Sequence, residues 1–276
     1  MKVNSAGLRL SMIAAFAAVL SLLPGLVAAQ ESTLDVVKKR GTLIAGVRGD
    51  LYPLGYTNSK GELEGFDLEI VKLFAEKLGV KLETRTITSA TMIPALQTGT
   101  IDIGPTATPS KKREESIDFS IVVFWDKGVV LVRKDSEIHK LKDLEDKTFA
   151  VAQGSIYGTM MKEMFPKAKF LTFEEWTQIV TAVETGKADA TPATFSFTQI
   201  LKSRPNSNLR VVEEDFGRDP LAFLLRENDS KWRKWVNWTL QELWKNGKIQ
   251  ELHQKYLGFE PQTPMWSPFG LQPGLR

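Results

Sequence analysis

Apolar residues fall along this chain in two rhythms. Short continuous runs such as Thr42–Val47 (TLIAGV) are partly β-branched, the pattern of a strand buried on both faces. Between such runs, apolar positions recur three and four apart. In Asp67–Leu78, Ile70, Val71, Phe74 and Leu78 share one helical face, and Gly79 is a stop. Ser32-Thr33-Leu34-Asp35 predicts a capped short helix ending at Gly41. Val80–Ile87 alternates and predicts a strand; Ser89 is expected to cap a helix that carries Pro94 and ends at Gly99; Ile101–Gly104 predicts another strand. Strand, helix, strand, helix, strand is the order of a mostly parallel sheet with helices on its faces.

The order recurs in the second half. Strands are expected at Thr148–Val151, Lys169–Thr172, Ala188–Thr191 and Leu209–Val212, with further apolar runs at Gly128–Val132 and Leu221–Leu225. Helices are expected from the Gln153-Gly154-Ser155 turn to Met164, and from a capping box at Thr172-Phe173-Glu174-Glu175 to Thr185. Ser230–Asn246 and Lys248–Leu257 complete the helices. The first carries Trp232, Trp235, Trp238 and Trp244 at helical spacing, which reads as core and interface. Two segments echo one another: Ala95–Asp102 (ALQTGTID) and Ala182–Asp189 (AVETGKAD), followed by Pro105 and Pro192. The echo predicts two duplicated α/β lobes. Ligands of such sheets sit off the carboxyl ends of the strands, so Thr106 and Thr194 are expected to face each other across an inter-lobe cleft.

The ends and the composition narrow the picture. Lys2 and Arg9, the uncharged run Leu10–Leu23, the Pro24-Gly25 break and Val27-Ala28-Ala29 have the order of a secretory signal peptide covering residues 1–29. The run falls short of the roughly 20 residues that span a bilayer. Residues 259–276 hold Pro261, Pro264, Pro268 and Pro273, the composition of a loosely ordered tail. Cysteine is absent, which excludes a disulfide scaffold, a thiolate metal site, a Cys nucleophile and a lipid-modified Cys. The two histidines, His139 and His253, are expected at the surface, and no metal or cofactor is expected. A net charge of +3, and a basic run no longer than Lys111-Lys112-Arg113, give no reason to expect nucleic acid or direct membrane insertion.

Candidate chemistry gathers at strand ends. In Thr106-Ala107-Thr108-Pro109-Ser110-Lys111-Lys112-Arg113, two hydroxyls at alternate positions point the same way, and Arg113 can fork onto a carboxylate; the same residues also fit a helix cap beside a surface arginine. Arg48 follows the first strand and either enters the cleft or pairs with Asp50. Ser155 and Ile156 open a helix whose N–H groups face the cleft, or simply turn a strand into a helix.

Taken together, these motifs resemble the family 3 extracellular solute-binding proteins, the periplasmic receptors of polar amino-acid ABC transporters. The resemblance spans about Leu34 to Gly258 and rests on Gly61–Asp67 (GELEGFD), Ala75–Gly79, Pro94–Asp102, Thr108–Arg113, Ile117–Ser120 (IDFS), Leu141–Leu144 (LKDL), Val151–Ser155 (VAQGS) and Gly186–Asp189 (GKAD). It implies an α/β, two-lobed periplasmic-binding-protein fold of type II. Each lobe is a mostly parallel sheet flanked by helices, and two crossover strands near Gly128–Arg133 and Leu221–Leu225 join them. Lobe one is expected at 34–130 plus 224–258 and lobe two at 131–223. It further implies that Arg113 binds a ligand α-carboxylate with help from Thr106, Ala107 and Thr108, and that Ser155 and Ile156 close on it. In relatives that bind aspartate or glutamate, a basic residue at Arg48 meets the side-chain carboxylate. Two positions depart from the pattern: the aspartate that holds the α-amino group aligns with Thr194, and the aromatic clamp aligns with Leu51, beside Tyr52. Two arginines and no carboxylate point to an acidic amino acid or a small carboxylic acid.

The resemblance thus implies a monomeric, non-enzymatic periplasmic protein that captures a small carboxylate-bearing solute by hinge closure and presents it to a membrane permease. A dehydratase-like enzyme of the same fold needs a general acid, and Ala190–Thr198 contains none. A ligand-sensing module is the remaining alternative.

Overall fold

The echoed segments turn out to be one hydrogen-bonded device used twice. In a computed structural model describing residues 31–198, 201, 207–259 and 261, Asp102 Oδ2 accepts the Ile44 N–H at 2.7 Å while its own N–H returns to Ile44 O at 2.8 Å. Asp189 Oδ2 accepts the Thr148 N–H at 2.8 Å, and its N–H returns to Thr148 O at 2.8 Å. Gly99 (φ 70°) and Gly186 (φ 77°) make the turns before them in the left-handed region, where only glycine sits without a Cβ penalty. Each device locks a helix end to the first strand of its half. The expected leader (residues 1–29) and, apart from 259 and 261, the expected tail lie outside the described residues.

The chain from Ser32 onward runs α1 (Thr33–Arg40), β1 (Thr42–Val47), β2 (Asp50–Leu51), β3 (Gly55–Thr57), β4 (Leu63–Glu64), α2 (Phe66–Leu78), β5 (Lys81–Thr86), α3 (Met92–Gln97), β6 (Thr106–Ala107), α4 (Lys111–Glu114), β7 (Ile117–Phe119) and β8 (Phe124–Arg133). It continues through β9 (Thr148–Ala152), α5 (Ile156–Met164), β10 (Lys169–Phe173), α6 (Trp176–Glu184), β11 (Ala190–Thr194), β12 (Leu209–Val211), β13 (Gly217–Arg226), α7 (Ser230–Lys245) and α8 (Lys248–Leu257). β1 pairs in parallel with β5, and β9 in parallel with β10 and β11. The two ten-residue strands β8 and β13 pair antiparallel and carry the rest: β11 and β12 lie antiparallel on β8, β6 and β7 antiparallel on β13. The sheets are therefore mixed rather than mostly parallel, because both crossover strands run against their neighbours.

Strand alternation divides the core into four clusters, two per half. Leu43, Ala45, Val47, Phe223 and Leu225 face α2, α7 and α8, while Ile44, Ala222 and Leu224 face α3. In the other half Val129, Leu131, Ala150 and Ala152 face α6, and Val130, Val132, Phe149 and Val151 face α5. This double covering is why the strand sequences read as unbroken apolar runs. Cluster membership changes between Phe124 and Val129 on β8, and Leu221 already packs with the first half on β13, so the chain passes between halves at residues 125–128 and 217–220.

Several expectations shift. Ile101–Gly104 makes only an isolated bridge, Ala45 to Ile103. The expected capping box at Thr172–Glu175 lies three residues later, with Glu175 as cap and Gln178 as its partner. Ser89 does not cap a helix; α3 starts after Thr91. The β2–β3–β4 sheet, whose strands are two or three residues long, left no periodicity to read. His253 is fully buried, not a surface residue: Phe66, Phe124 and Phe259 pack against its ring, and Nδ1 lies 2.5 Å from Phe259 O. Burial lowers its basicity.

Asp189→Ala is expected to strand the Thr148 N–H and cost about 1–3 kcal/mol, lowering the urea midpoint with little change in slope. Asp102→Ala is expected to cost at least as much, because Arg40 also bonds that carboxylate.

Candidate functional site

The carboxyl ends of β1 and β6 and the first turns of α5 and α6 meet the start of β13 around one cavity of about 630 Å³, counted out to its mouth. Its walls come from both halves. Arg48, Leu51, Leu54, Ser89, Met92, Pro105, Thr106, Ala107, Thr108 and Arg113 belong to the first; Ser155, Ile156, Tyr157, Trp176, Thr194 and Phe197 to the second; Asp219 and Leu221 to β13.

Arg113 is built into the wall by its short helix. Ser110 caps α4 by accepting the Arg113 N–H, and the side chain is buried. Its guanidinium donates from Nη1 to Thr108 O at 2.8 Å and from Nη2 to Gly154 O at 3.3 Å. The second bond crosses between halves. Gly154, at φ 73°, allows that approach: a Cβ there meets Ser89 O at 3.0 Å and Ala90 Cα at 3.1 Å. Both acceptors are neutral carbonyls, so among the described residues no carboxylate bonds Arg113 directly; burial lowers its basicity, and Asp219 and Tyr157 partly restore it.

Asp219 is buried opposite. Its Oδ1 accepts the Thr108 hydroxyl at 2.6 Å, and its Oδ2 takes the Tyr157 hydroxyl. Burial pushes its carboxyl up to about 6 against these bonds; the neighbouring Asp126 raises it further and Arg113 lowers it.

The comparisons with known proteins agree with this architecture. Residues 43–259 match the bacterial extracellular solute-binding proteins, family 3. The chain belongs to that family. The glutamine-binding protein of Geobacillus stearothermophilus is 36% identical over 195 residues, covering 68% of this chain and 74% of that protein. The ABC transporter glutamine-binding protein GlnH of Bacillus subtilis is 30% identical over 239 residues, covering 84% and 87%. Among solved structures, the ancestral amino acid-binding protein AncCDT-1, described as a precursor of cyclohexadienyl dehydratase, superposes with a TM-score of 0.77 at 34% identity, covering 82% of this chain and all of that one. The fold is the two-lobed type II fold of these receptors.

Within this family 3 protein, eight of the nine sequence-chosen residues line the cavity: Arg48, Thr106, Ala107, Thr108, Arg113, Ser155, Ile156 and Thr194. Tyr52 does not. Its ring lies on Tyr56, centroids 4.8 Å apart, and Leu51 forms the wall instead. The hydroxyls chosen as carboxylate-binding groups already serve acids of the protein. Thr106 donates its N–H at 2.8 Å and its hydroxyl at 2.9 Å to buried Asp67, whose carboxyl burial pushes up to about 7. Thr108 serves Asp219. Ser155 caps α5 by accepting the Tyr157 N–H.

Arg48 is cavity-lining and paired at once. Its Nε and Nη2 each lie 2.8 Å from an Asp50 oxygen in a bidentate pair, and its Nη1 donates to the Ser89 hydroxyl at 2.8 Å. Asp50 Oδ2 also accepts the Trp176 N–H at 2.9 Å, which ties β2 of the first lobe to the start of α6 in the second. The pair neutralises Arg48. The argument for an acidic ligand therefore loses both premises: one arginine is matched, and a carboxylate, Asp219, stands in the wall. The Ala190–Thr198 segment indeed holds no acid, but β13 supplies one.

Sequence reasoning missed Asp219, Tyr157, Ser89 and Trp176. The signal for Asp219 was an acid set directly before the buried run Leu221–Leu225. Among the described residues no cluster of His, Asp and Glu could hold a metal, and no helix is long and apolar enough to cross a membrane.

Asp50→Ala leaves the Arg48 charge buried and unmatched, and is expected to cost about 3–5 kcal/mol in urea unfolding. Replacing both residues with apolar ones of similar volume is expected to recover most of that loss.

Proposed function

We propose that this protein is exported through a leader at residues 1–29, cleaved before Gln30, captures one amino acid in the periplasm, and presents it to the permease of an ABC importer. The observation that carries the reading is the cavity itself: an arginine whose protein partners are neutral carbonyls, adjacent to a carboxylate, with walls drawn from both lobes. The ligand's α-carboxylate is received by Arg113, with Ser155 and Ile156 closing from lobe two by hinge bending.

The matched Arg48–Asp50 pair and the apolar surfaces of Leu51, Leu54, Met92, Trp176 and Phe197 favour an uncharged side chain over an acidic or basic one. Glutamine, which names the two curated relatives above, is the first candidate. Micromolar affinity needs about 8 kcal/mol net. Charge-assisted hydrogen bonds of about 1.5–3 kcal/mol each, together with apolar contact, reach that after ordering costs.

Titration calorimetry with L-glutamine, L-glutamate, L-arginine and the other L-amino acids tests the reading. The expected result is one uncharged amino acid bound at least about tenfold tighter than glutamate or arginine, a gap of about 1.4 kcal/mol. Arg113→Ala is expected to abolish measurable binding while far-UV circular dichroism keeps the wild-type spectrum. Tight binding of arginine, lysine or glutamate overturns the side-chain assignment; unchanged binding by Arg113→Ala overturns the site.

An enzyme of the same fold is the second reading, favoured by one observation: a carboxyl near 6 in the cavity wall is suited to proton transfer near neutrality. Mass spectrometry of the bound amino acid before and after incubation distinguishes the two, and an unchanged mass supports capture.

A further inference from the structure

Residue 194 carries no charge, so the ligand's amino group needs another partner. We propose that Asp219, on crossover strand β13, receives the α-ammonium group, making it the residue by which this protein selects α-amino acids over carboxylic acids that lack the amine. The inference rests on amino-acid capture with the α-carboxylate at Arg113.

Adjacency is the first argument. An α-amino acid carries both its charges on one carbon, so their receptors must be neighbours. Thr108 makes Arg113 and Asp219 neighbours: its carbonyl oxygen accepts Arg113 Nη1–H at 2.8 Å and its hydroxyl donates to Asp219 Oδ1 at 2.6 Å. A zwitterion placed between them satisfies both buried charges in one step.

Capacity is the second. An ionised carboxylate has about four acceptor sites. Thr108 takes one on Oδ1 and Tyr157 one on Oδ2, so each oxygen keeps a lone pair for an ammonium proton.

The remaining candidates are unsuited. Thr194 Oγ1 lies 3.4 Å from Ser196 Oγ and 3.3 Å from the Phe197 N–H, a hydroxyl facing other dipoles. Asp126 stands opposite Asp219 in the β8–β13 ladder, but it takes the Ser196 N–H and hydroxyl and the Lys127 N–H, and it does not line the cavity. Asp219 is the one carboxylate among the described residues that does.

Proton linkage supplies a signature. Tyr157 on α5, Thr108 after β6, Arg113 on α4 and Asp126 on β8 face Asp219, and its carboxyl sits at about 6. Ammonium binding requires the ionised form and drives the carboxyl downward. Binding near pH 6 therefore expels a proton, and affinity falls as pH drops below 6.

The test is calorimetry on the whole purified protein, with whichever of the twenty L-amino acids binds tightest and the same acid without its α-amino group. Wild type is expected to prefer the amino acid by about 100-fold, and Asp219→Asn to bring the two within a few-fold, chiefly by weakening the amino acid. In two buffers of different ionisation enthalpy at pH 6, wild-type binding is expected to release roughly half a proton. A preference that survives in Asp219→Asn overturns the assignment. So does wild-type binding that releases no proton at any pH from about 5 to 7, a readout that stands even if the variant fails to fold. If wild type binds none of the twenty, the amino-acid reading falls and the inference with it; Arg113-dependent binding with an intact preference in Asp219→Asn sinks the inference alone.

Discussion

Two buried carboxylates face each other across the strand pair that joins the lobes, and much of the site follows from keeping them content. Asp126 and Asp219 are directly paired residues of β8 and β13. Side chains opposite each other in an antiparallel ladder sit about 4.5–5.5 Å apart at Cβ, a poor place for two like charges out of water. Burial raises both carboxyls. Asp126 is answered within its own neighbourhood by Ser196 and the Lys127 N–H. Asp219 is answered from both sides: Thr108 extends from the first lobe, Tyr157 from the first turn of α5 in the second. These two bonds are held together only when the lobes meet. On the proposed reading, closure and the electrostatics of the hinge are one equilibrium, and a cation at Asp219 would add to the closed side of it.

The same economy appears at the opposite wall. Asp50 matches Arg48 and takes the Trp176 N–H at the start of α6, so one carboxylate neutralises a wall charge and bridges the cleft. A further inter-lobe polar contact, Arg113 to Gly154 O, is a longer bond at 3.3 Å. Its acceptor is a neutral carbonyl, whereas a ligand carboxylate would meet the guanidinium charge with charge and in a bidentate fork.

How much of this was legible depended on whether a feature is local. The long helices, the paired lobes and the strand ends were readable because apolar periodicity and the ALQTGTID/AVETGKAD echo are short-range patterns. The repeated aspartate device had to follow from that echo once both copies fold alike. Strands of two or three residues left no period, and Ser89 looked like a cap because a serine before a helix commonly is one; its partner Arg48 lies 41 positions away in sequence. His253 was misplaced because neither its own helix nor its neighbours in sequence show the Phe66 and Phe124 rings packed against it. The site failed to read in a more instructive way. Thr194 stands at the position of the family's aspartate, and that strand, read alone, offers the cleft no carboxylate. The acid lies on β13, just before the apolar run Leu221–Leu225 that reads as a crossover strand, and no local pattern says that this acid faces the cleft.

That relocation bears on how such a receptor sets its specificity. The groups proposed to hold the common part of an amino acid, Arg113, Thr108 and Asp219, are anchored to β6, α4 and β13, all in or beside the rigid strand framework. The surfaces left for the variable part, Leu51, Trp176 and Phe197, come from a two-residue strand, a helix start and the short helix after β11. Apolar walls discriminate between side chains by only about 1–3 kcal/mol per methylene, whereas an unmatched buried charge costs several. Neutralising Arg48 therefore rejects charged side chains strongly and sorts uncharged ones weakly. A binding pocket organised this way changes the charge it accepts most directly at Asp50: losing that one carboxylate exposes a buried cation to the cavity, at a cost in stability that an anionic ligand would offset only when bound.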